Sequence, residues 1–543
     1  MPSADTLILD GSSLSLEDVV RVARSAPGEI TVALSERARA ATTDLRRYIE
    51  DHWLTDEAPA IYAVNTGVGR LKDVRVAAAD LERFQFLIIN AHAAGVGEPL
   101  AAEEVRALLV LRVNALAKGC SGLRVECLDR MLWMLNRGVH PVIPAQGSVG
   151  ASGDLAPCAH LVAAMIGHPQ AEAFYQEERL PARVALERAG LSPTFELKPK
   201  DAVALINGST LSLADAVLGL NDAEVLARTA DISASLSLEA MRGELGAFDD
   251  RIHQVRNSPN QIDVAANVRR LTLGSERTTE AARAELLPDE SRPGGQYQPR
   301  IQDAYSLRCT PQVHGAARDI LATARRLLER EANAATDNPL VFPDGNGGFE
   351  VVSGGNFHGE PVAFAADLIT IAVAEIGSIS ERRCYRLTDS AMSFGLPLNL
   401  VGGTLGLNTG MSLVHCSAAA LASENKVLCF PSSVDSLPTK ANQEDHVSMS
   451  THGSRKMRRV VANAQAIVGI ELLCAAQGVD LAARTLSHSA LGVGTGPAWT
   501  LLRQHVPVTE EDELQSPNIT AATKLVASGA LLSSVEKLIG ALA

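Results

Sequence analysis

Long apolar stripes at helical spacing limit what this chain can fold into more than any other feature. Ala365, Leu368, Ile369, Ala372, Ile376 and Ile379 recur at i, i+3, i+4 and i+7, which puts one apolar face along a single helix. Similar patterns run through 211–238, 411–428, 457–483 and 521–542. Such stripes need other helices to cover them, so the C-terminal two-thirds predicts a long antiparallel bundle. Aromatic residues make up only 4% of the chain, so these helices must meet through Ala and Leu at close range. The first two hundred residues read differently: "APAIYAVNTGVGR", "AHAAGVGEPL" and "GVHPVIPAQGSVGASGDLAP" are dense in Gly and Pro, which predicts loops. The expected architecture is mainly α, with a loop-rich N-terminal head over 1–210 and a helical bundle over 211–543. The stretch 287–312, "LPDESRPGGQYQPRIQDAYSLRCTPQ", has too much Pro, Gly and charge for a helix interior and predicts a loop capping that bundle.

Other chemistries are excluded in turn. A net charge of −14 argues against a nucleic-acid partner, which needs clustered Lys and Arg. The first fifteen residues lack a basic segment followed by an apolar run, and no later stretch reads as an uninterrupted membrane span, so a cytoplasmic protein without membrane contact is expected. The eight cysteines (120, 127, 158, 309, 384, 416, 429 and 474) form no CxxC pair and read as free thiols in a reducing compartment. "GVGTGP" (492–497) and "GVGEPL" (95–100) lack the glycine spacing of a dinucleotide fingerprint and read as turns; no phosphate loop, nucleophile elbow or HExxH occurs. "ANQEDHVSM" (441–449) gathers acids and a histidine, but one isolated cluster does not define a metal site, and no metal or diffusible cofactor is expected.

The unexplained stretch is "GSVGASGDLAPCAH" (147–160). Three glycines and two serines before Asp-Leu-Ala-Pro suit either a hinge or a backbone that reacts with itself. For Ala151-Ser152-Gly153 to cyclise, the amide nitrogen of Gly153 must reach the carbonyl carbon of Ala151, a compression that glycine tolerates at the attacking position. If Ser152 then loses water, the ring gains an exocyclic methylene, an electrophile that no ordinary side chain provides. A bare Ala-Ser-Gly favours the turn reading, since "VASGA" repeats it at 527–529 without the following Asp-Leu-Ala-Pro.

The surrounding blocks change that balance. "SVGASGDLAPCAH" resembles the signature of the aromatic amino acid ammonia-lyases and aminomutases, whose prosthetic group is 4-methylideneimidazole-5-one (MIO). The resemblance spans nearly the whole chain through "YAVNTGVG" (62–69), "AHAAGVGEP" (91–99), "ALINGST" (204–210), "QDAYSLRCTPQV" (302–313), "DNPLVF" (337–342), "SGGNFHGEP" (353–361), "EIGSISERR" (375–383) and "LPTKANQEDHVSM" (437–449). It implies elimination of ammonia and a β-proton from an α-amino acid, with the MIO group made autocatalytically from Ala151, Ser152 and Gly153. It also implies a homotetramer whose active sites are shared between chains.

The same resemblance assigns roles. Tyr62 matches the β-proton base, in a mobile loop whose Asn65-Thr66-Gly67 turn lets it close; a phenol must be acidified by its site to serve. Asn207 matches the amide that donates to the prosthetic carbonyl, and Tyr305 a second active-site tyrosine. Arg308 matches the residue that grips the substrate carboxylate with a planar fork. Gln312, Asn356 and Phe357 match pocket-lining positions. At the ring-facing pair stand Ala91 and His92, and Glu444 matches the acid facing the imidazole in histidine ammonia-lyases; "NFHGE" also resembles that branch. A carboxylate and a histidine can bracket an imidazole through its two nitrogens, whereas beside a phenyl ring the carboxylate would go unsatisfied. Histidine is therefore the expected substrate, with tyrosine ammonia-lyase and 2,3-aminomutase activity as rivals. Ala63, Thr210 and His314 depart from the family pattern and read as a retuned pocket. A catalytically dead helical scaffold would have lost some of these groups, yet Tyr62, Ser152, Asn207, Tyr305 and Arg308 all remain.

Overall fold

The computed structural model describes residues 5–285 and 300–543. Residues 287–299 of the expected capping loop lie outside them, and the rest of that stretch is partly helical, at Tyr305–Arg308 and from Thr310 onward. Helices dominate, as the stripes require. The stripe at 365–379 lies in the helix Glu360–Thr388, and further helices span Thr210–Ala240, Ser412–Leu428 and Ser450–Ala483. The expected helix over 521–542 is instead two, Gln515–Ala527 and Ala530–Ile539. Gly529 breaks them apart with φ of +70°, so the second Ala-Ser-Gly is an ordinary helix end.

The chain divides into two compact units. The first comprises 1–221, 324–367 and 431–456; the second comprises 222–323, 368–430 and 457–543. These interleaved segments are not described by a single cut at residue 210. The first unit is also more helical than its Gly and Pro content suggests, with helices at Glu36–His52, Leu81–His92, Ala102–Leu116, Val125–Arg137 and Leu155–Met165. The punctuation falls between these helices. Ala102–Leu116 shows no stripe because every residue from Val105 to Leu116 is buried. Leu155–Met165 is buried nearly all round, and its Pro157 sits in the first turn, where a missing N–H breaks no helical bond. Small sheets complete the unit. Asp5–Leu9 pairs in parallel with Ile30–Leu34, and Val96–Pro99, expected as a turn, pairs antiparallel with Pro144–Gln146.

In the second unit a buried carboxylate ties helices together. Glu471 accepts from Arg383 Nε and Nη2 at 2.5 and 2.9 Å, from Ser380 at 2.7 Å and from Ser237 at 2.6 Å. A charge this deep is tolerated because its acceptor positions are filled and its counter-ion is adjacent. Arg383 Nη1 also donates to the Ser306 carbonyl at 3.3 Å, which fixes the short helix Tyr305–Arg308. Glu360–Thr388 and Ser450–Ala483 are, against expectation, long and apolar enough by composition to cross a membrane. Their most apolar windows are 67% and 83% buried inside the protein, the surroundings of core helices. All eight cysteines are free, with four buried and Cys416 exposed.

Candidate active site

The loop at 147–154 is a tight, fully supported turn. Ser152 and Gly153 have φ of +52° and +66°, consecutive left-handed residues that fold the backbone back on itself. That conformation is ordinary for Gly153 and strained for Ser152. Asp154 N donates to the Gly208 carbonyl at 2.8 Å, and a Cβ on Gly153 would run into the Gly208 backbone. Two further strands of contact clamp the loop: Gly359 N donates to the Gly150 carbonyl at 3.0 Å, and Met449 N to the Val149 carbonyl at 2.8 Å. Ser448 Oγ donates to the Gly150 carbonyl at 2.9 Å.

Asp154, which sequence reading did not single out, anchors the turn. It is fully buried and accepts from Ser148 Oγ at 2.8 Å, from Ser212 N and Oγ at 2.8 and 2.7 Å, and from Thr451 Oγ1. Four donors satisfy a carboxylate that would otherwise be costly to bury. We expect Gly153→Ala to displace the turn from Gly208 and to leave residues 151–153 as linear peptide, read as full, undiminished intact mass in a folded protein.

Six of the sequence-predicted residues line one pocket of about 1020 Å³: Tyr62, His92, Ser152, Asn207, Phe357 and Glu444. Ala151 and Gly153, the chain neighbours of Ser152, are not among the lining residues. A larger hollow of about 1330 Å³, around Arg106 and His140, contains none of the predicted residues. At the pocket's centre Ser152 Oγ donates to Glu444 Oε1 at 2.6 Å. Lys440 Nζ donates to the same oxygen at 2.7 Å, and Thr439 Oγ1 to Oε2 at 2.6 Å. Burial works to raise the Glu444 carboxyl, but these three hydrogen bonds and the Lys440 charge outweigh it and hold the group below the usual carboxylate range. Glu444 is thus already satisfied by the chain, so an unsatisfied acid does not by itself argue against a phenyl substrate. The segment that carries it is strained, with positive φ at Lys440, Ala441 and Asn442 in succession.

His92 ends the helix Leu81–His92, and its Nδ1 bonds the Ile88 carbonyl at 2.7 Å. That bond puts the proton on Nδ1 and leaves Nε2 as an acceptor. Burial, with the Lys440 charge, lowers the imidazole's pKa and keeps the ring neutral.

Tyr62 departs from expectation in two ways. Its phenol pKa is raised, by burial first and by the Glu444 and Asp337 charges, against a hydrogen bond from Gly69 N at 3.2 Å that lowers it. The pocket as built therefore does not acidify Tyr62. The Asn65-Thr66-Gly67 turn is also no free hinge: Asn65 and Thr66 are buried, and Asn65 accepts from Ile61 N at 2.7 Å while donating to the Pro59 carbonyl at 2.9 Å. Ala63 holds φ of +58°, so the alanine occupies a conformation that favours glycine.

Asn207 is buried beside the loop, but its Nδ2 is engaged by Asp337 Oδ1 at 3.0 Å and the Asn338 carbonyl at 3.1 Å. Its Oδ1 has no partner among the described residues. Asp337, another residue sequence reading passed over, also takes the buried Lys200 ammonium at 3.3 Å. Asn356 lies outside the pocket lining, its amide bonded to the Ala335 carbonyl at 3.1 Å.

Tyr305, Arg308 and Gln312 belong to the second unit. Tyr305 is 73% exposed, with the Arg308 guanidinium 4.6 Å from its ring centre. Arg308 pairs with no carboxylate among the described residues, and Arg308 Nε and Gln312 Oε1 are buried without partners. The other two departures from the family pattern are core residues. His314 is fully buried against Asp231 at 2.7 Å, which also takes Arg318 at 2.6 Å. Thr210 Oγ1 accepts from Arg112 at 3.4 Å, and neither residue lines the pocket. Ala63 also lies outside the lining, so none of the three departures lines the pocket.

The chain is similar to known proteins along nearly its whole length. Residues 14–504 match the family described as aromatic amino acid lyase. The chain is 46% identical over 534 residues to histidine ammonia-lyase 2 of Fusobacterium nucleatum, covering 98% of this chain and 99% of that protein. The crystal structure of histidine ammonia-lyase from Trypanosoma cruzi superposes with a TM-score of 0.86 at 39% identity, covering 98% of this chain and 95% of that one. Tyrosine aminomutase from Streptomyces globisporus gives 0.89 at 34% identity, covering 98% and 99%.

Proposed function

Because the chain belongs to the aromatic amino acid lyase family, a family of carbon–nitrogen lyases, we propose that it eliminates ammonia from L-histidine to give urocanate. The observation that carries this reading is the single pocket in which Ser152 meets an ionised Glu444 and a neutral His92. The residues at 151–153 suit conversion to MIO: the turn is already compressed, Gly153 is the one residue its neighbours admit, and Ser152 carries the hydroxyl to be lost. When formed, that group supplies an electrophile strong enough to activate a poor leaving group.

The chain's own residues then divide the work. Loss of the Ser152 hydroxyl removes one donor from Glu444 Oε1 and frees that oxygen for an imidazole N–H. His92 Nε2 offers a second acceptor, so a substrate imidazolium, with two N–H groups, donates to both, and a phenyl ring can use neither. Tyr62 takes the β-proton; since its own pocket raises its pKa, cations from elsewhere must lower it. The substrate ammonium is one. Arg308 of a neighbouring subunit is the other, in a cytoplasmic homotetramer with shared sites, where Tyr305, Arg308 and Gln312 complete the pocket and Arg308 holds the substrate carboxylate. The Arg308 guanidinium, which pairs with no carboxylate among the described residues and whose Nε is buried without a partner there, supports that role.

Incubation with histidine, tyrosine and phenylalanine, following both the unsaturated acid and any β-amino acid, tests the reading. Urocanate from histidine is expected as the main product; a β-amino acid, or preference for tyrosine, overturns it. Glu444→Gln is expected to lower kcat/KM for histidine by about 10- to 100-fold, the worth of a hydrogen bond to a charged group.

A further inference from the structure

The histidine of "ANQEDHVSM", dismissed from sequence for want of company, has company in the fold. His446, His358 and Glu360 offer three ligand atoms that all lie within 4.8 Å of one another. None of the three lines the pocket that holds Glu444 and Ser152. His358 Nε2 faces the His446 backbone carbonyl at 3.3 Å, which commits its proton to that nitrogen. Nδ1 is left as the lone-pair nitrogen, and it faces Glu360 Oε2 at 3.9 Å, too far for a hydrogen bond and close enough to share an ion. Metal-binding histidines characteristically donate their second ring N–H to a carbonyl in this way, which fixes the tautomer and the ring. Glu360 Oε2 is buried and has no hydrogen-bond partner among the described residues, and no lysine or arginine there pairs with it. The two imidazoles lie parallel, 5.7 Å apart at 10°, and His446 is exposed, so its ring is free to swing onto an ion.

From this geometry we infer that His358 Nδ1, Glu360 Oε2 and His446 form a binding site for one borderline divalent cation of the zinc class, with water completing the shell. Two imidazoles and one carboxylate suit zinc or cobalt, whereas magnesium and calcium prefer oxygen throughout. The site would act as a clamp. His358 follows Phe357, which lines the pocket, and His446 follows Glu444 by two residues, so an ion joins the two segments that hold those side chains.

The test uses the full-length protein stripped with a chelator and then titrated with Zn²⁺ and with Co²⁺. One Zn²⁺ per chain is expected, with visible Co²⁺ bands that lack thiolate charge transfer and a rise in Tm on loading. His446→Ala, at an exposed position, should retain the parent's circular dichroism while weakening Zn²⁺ at least about tenfold and abolishing the Tm response. Glu360→Gln should do the same to affinity. Absence of stoichiometric Zn²⁺ binding overturns the inference. So does binding that survives both substitutions, which would put the ion elsewhere, for example on a cysteine.

Discussion

Ser152→Ala is expected to lower turnover of histidine by about 10³-fold or more while leaving the protein folded, because it removes the only atom set from which the electrophile can be made. The surrounding turn does not depend on the Ser152 side chain. Its anchors are Asp154, Gly208, Gly150 and Val149, all of which bond through other groups. The variant should therefore match the parent in circular dichroism and Tm and differ in two linked respects, activity and the mass deficit of residues 151–153. Loss of activity with the deficit retained would mean that Ser152 acts as an ordinary side chain. Glu444 offers an internal control, since Ser152→Ala also removes its hydrogen bond at 2.6 Å while Lys440 and Thr439 still hold the carboxylate in place.

Tyr62→Phe should be nearly as damaging, by about 10²- to 10⁴-fold in kcat, the usual contribution of a positioned general base. Its pH dependence is the more informative reading. In the unliganded pocket, burial and the Glu444 and Asp337 charges hold the phenol above its ordinary value of 10.0. The reactive phenolate is therefore a small fraction at neutral pH and grows tenfold per pH unit, so kcat/KM, which reports the free enzyme, should climb through the alkaline range. In Tyr62→Phe that climb should vanish while substrate binding persists. The profile of kcat reports the loaded site, to which the substrate adds its ammonium, and its limb should lie at lower pH. Coincident limbs in the two profiles would contradict that source of acidification.

What the sequence made legible follows physical lines. Helices with one wet face were readable because burial on one side leaves a period, as at Ala365 to Ile379. Ala102–Leu116 and Leu155–Met165 were not, because a helix buried on every side has no polar face to mark its period. In the site, groups held by local backbone chemistry were readable: Gly153 stands where only glycine fits, and Glu444 and His92 stand in distinctive blocks. Groups that act through long-range pairing were not. Asp154 sits beside the key tripeptide, yet its role depends on Ser212 and Thr451, far away in sequence. Asp337 matters through Lys200 and Asn207, and His446 gains partners only when His358 and Glu360 fold beside it. His314 shows the converse. An unusual residue type in a familiar block suggested a changed pocket, and the fold puts it in a buried ion cluster with Asp231 and Arg318.

The central claim is that this chain makes its own electrophile from residues 151–153. Intact-mass spectrometry of the freshly purified wild-type protein, with the deficit localised to the peptide spanning 147–160, tests it most directly. The account predicts a chain lighter than its sequence by two water molecules, both lost within that peptide. A chain of full mass that still turns histidine into urocanate would contradict it.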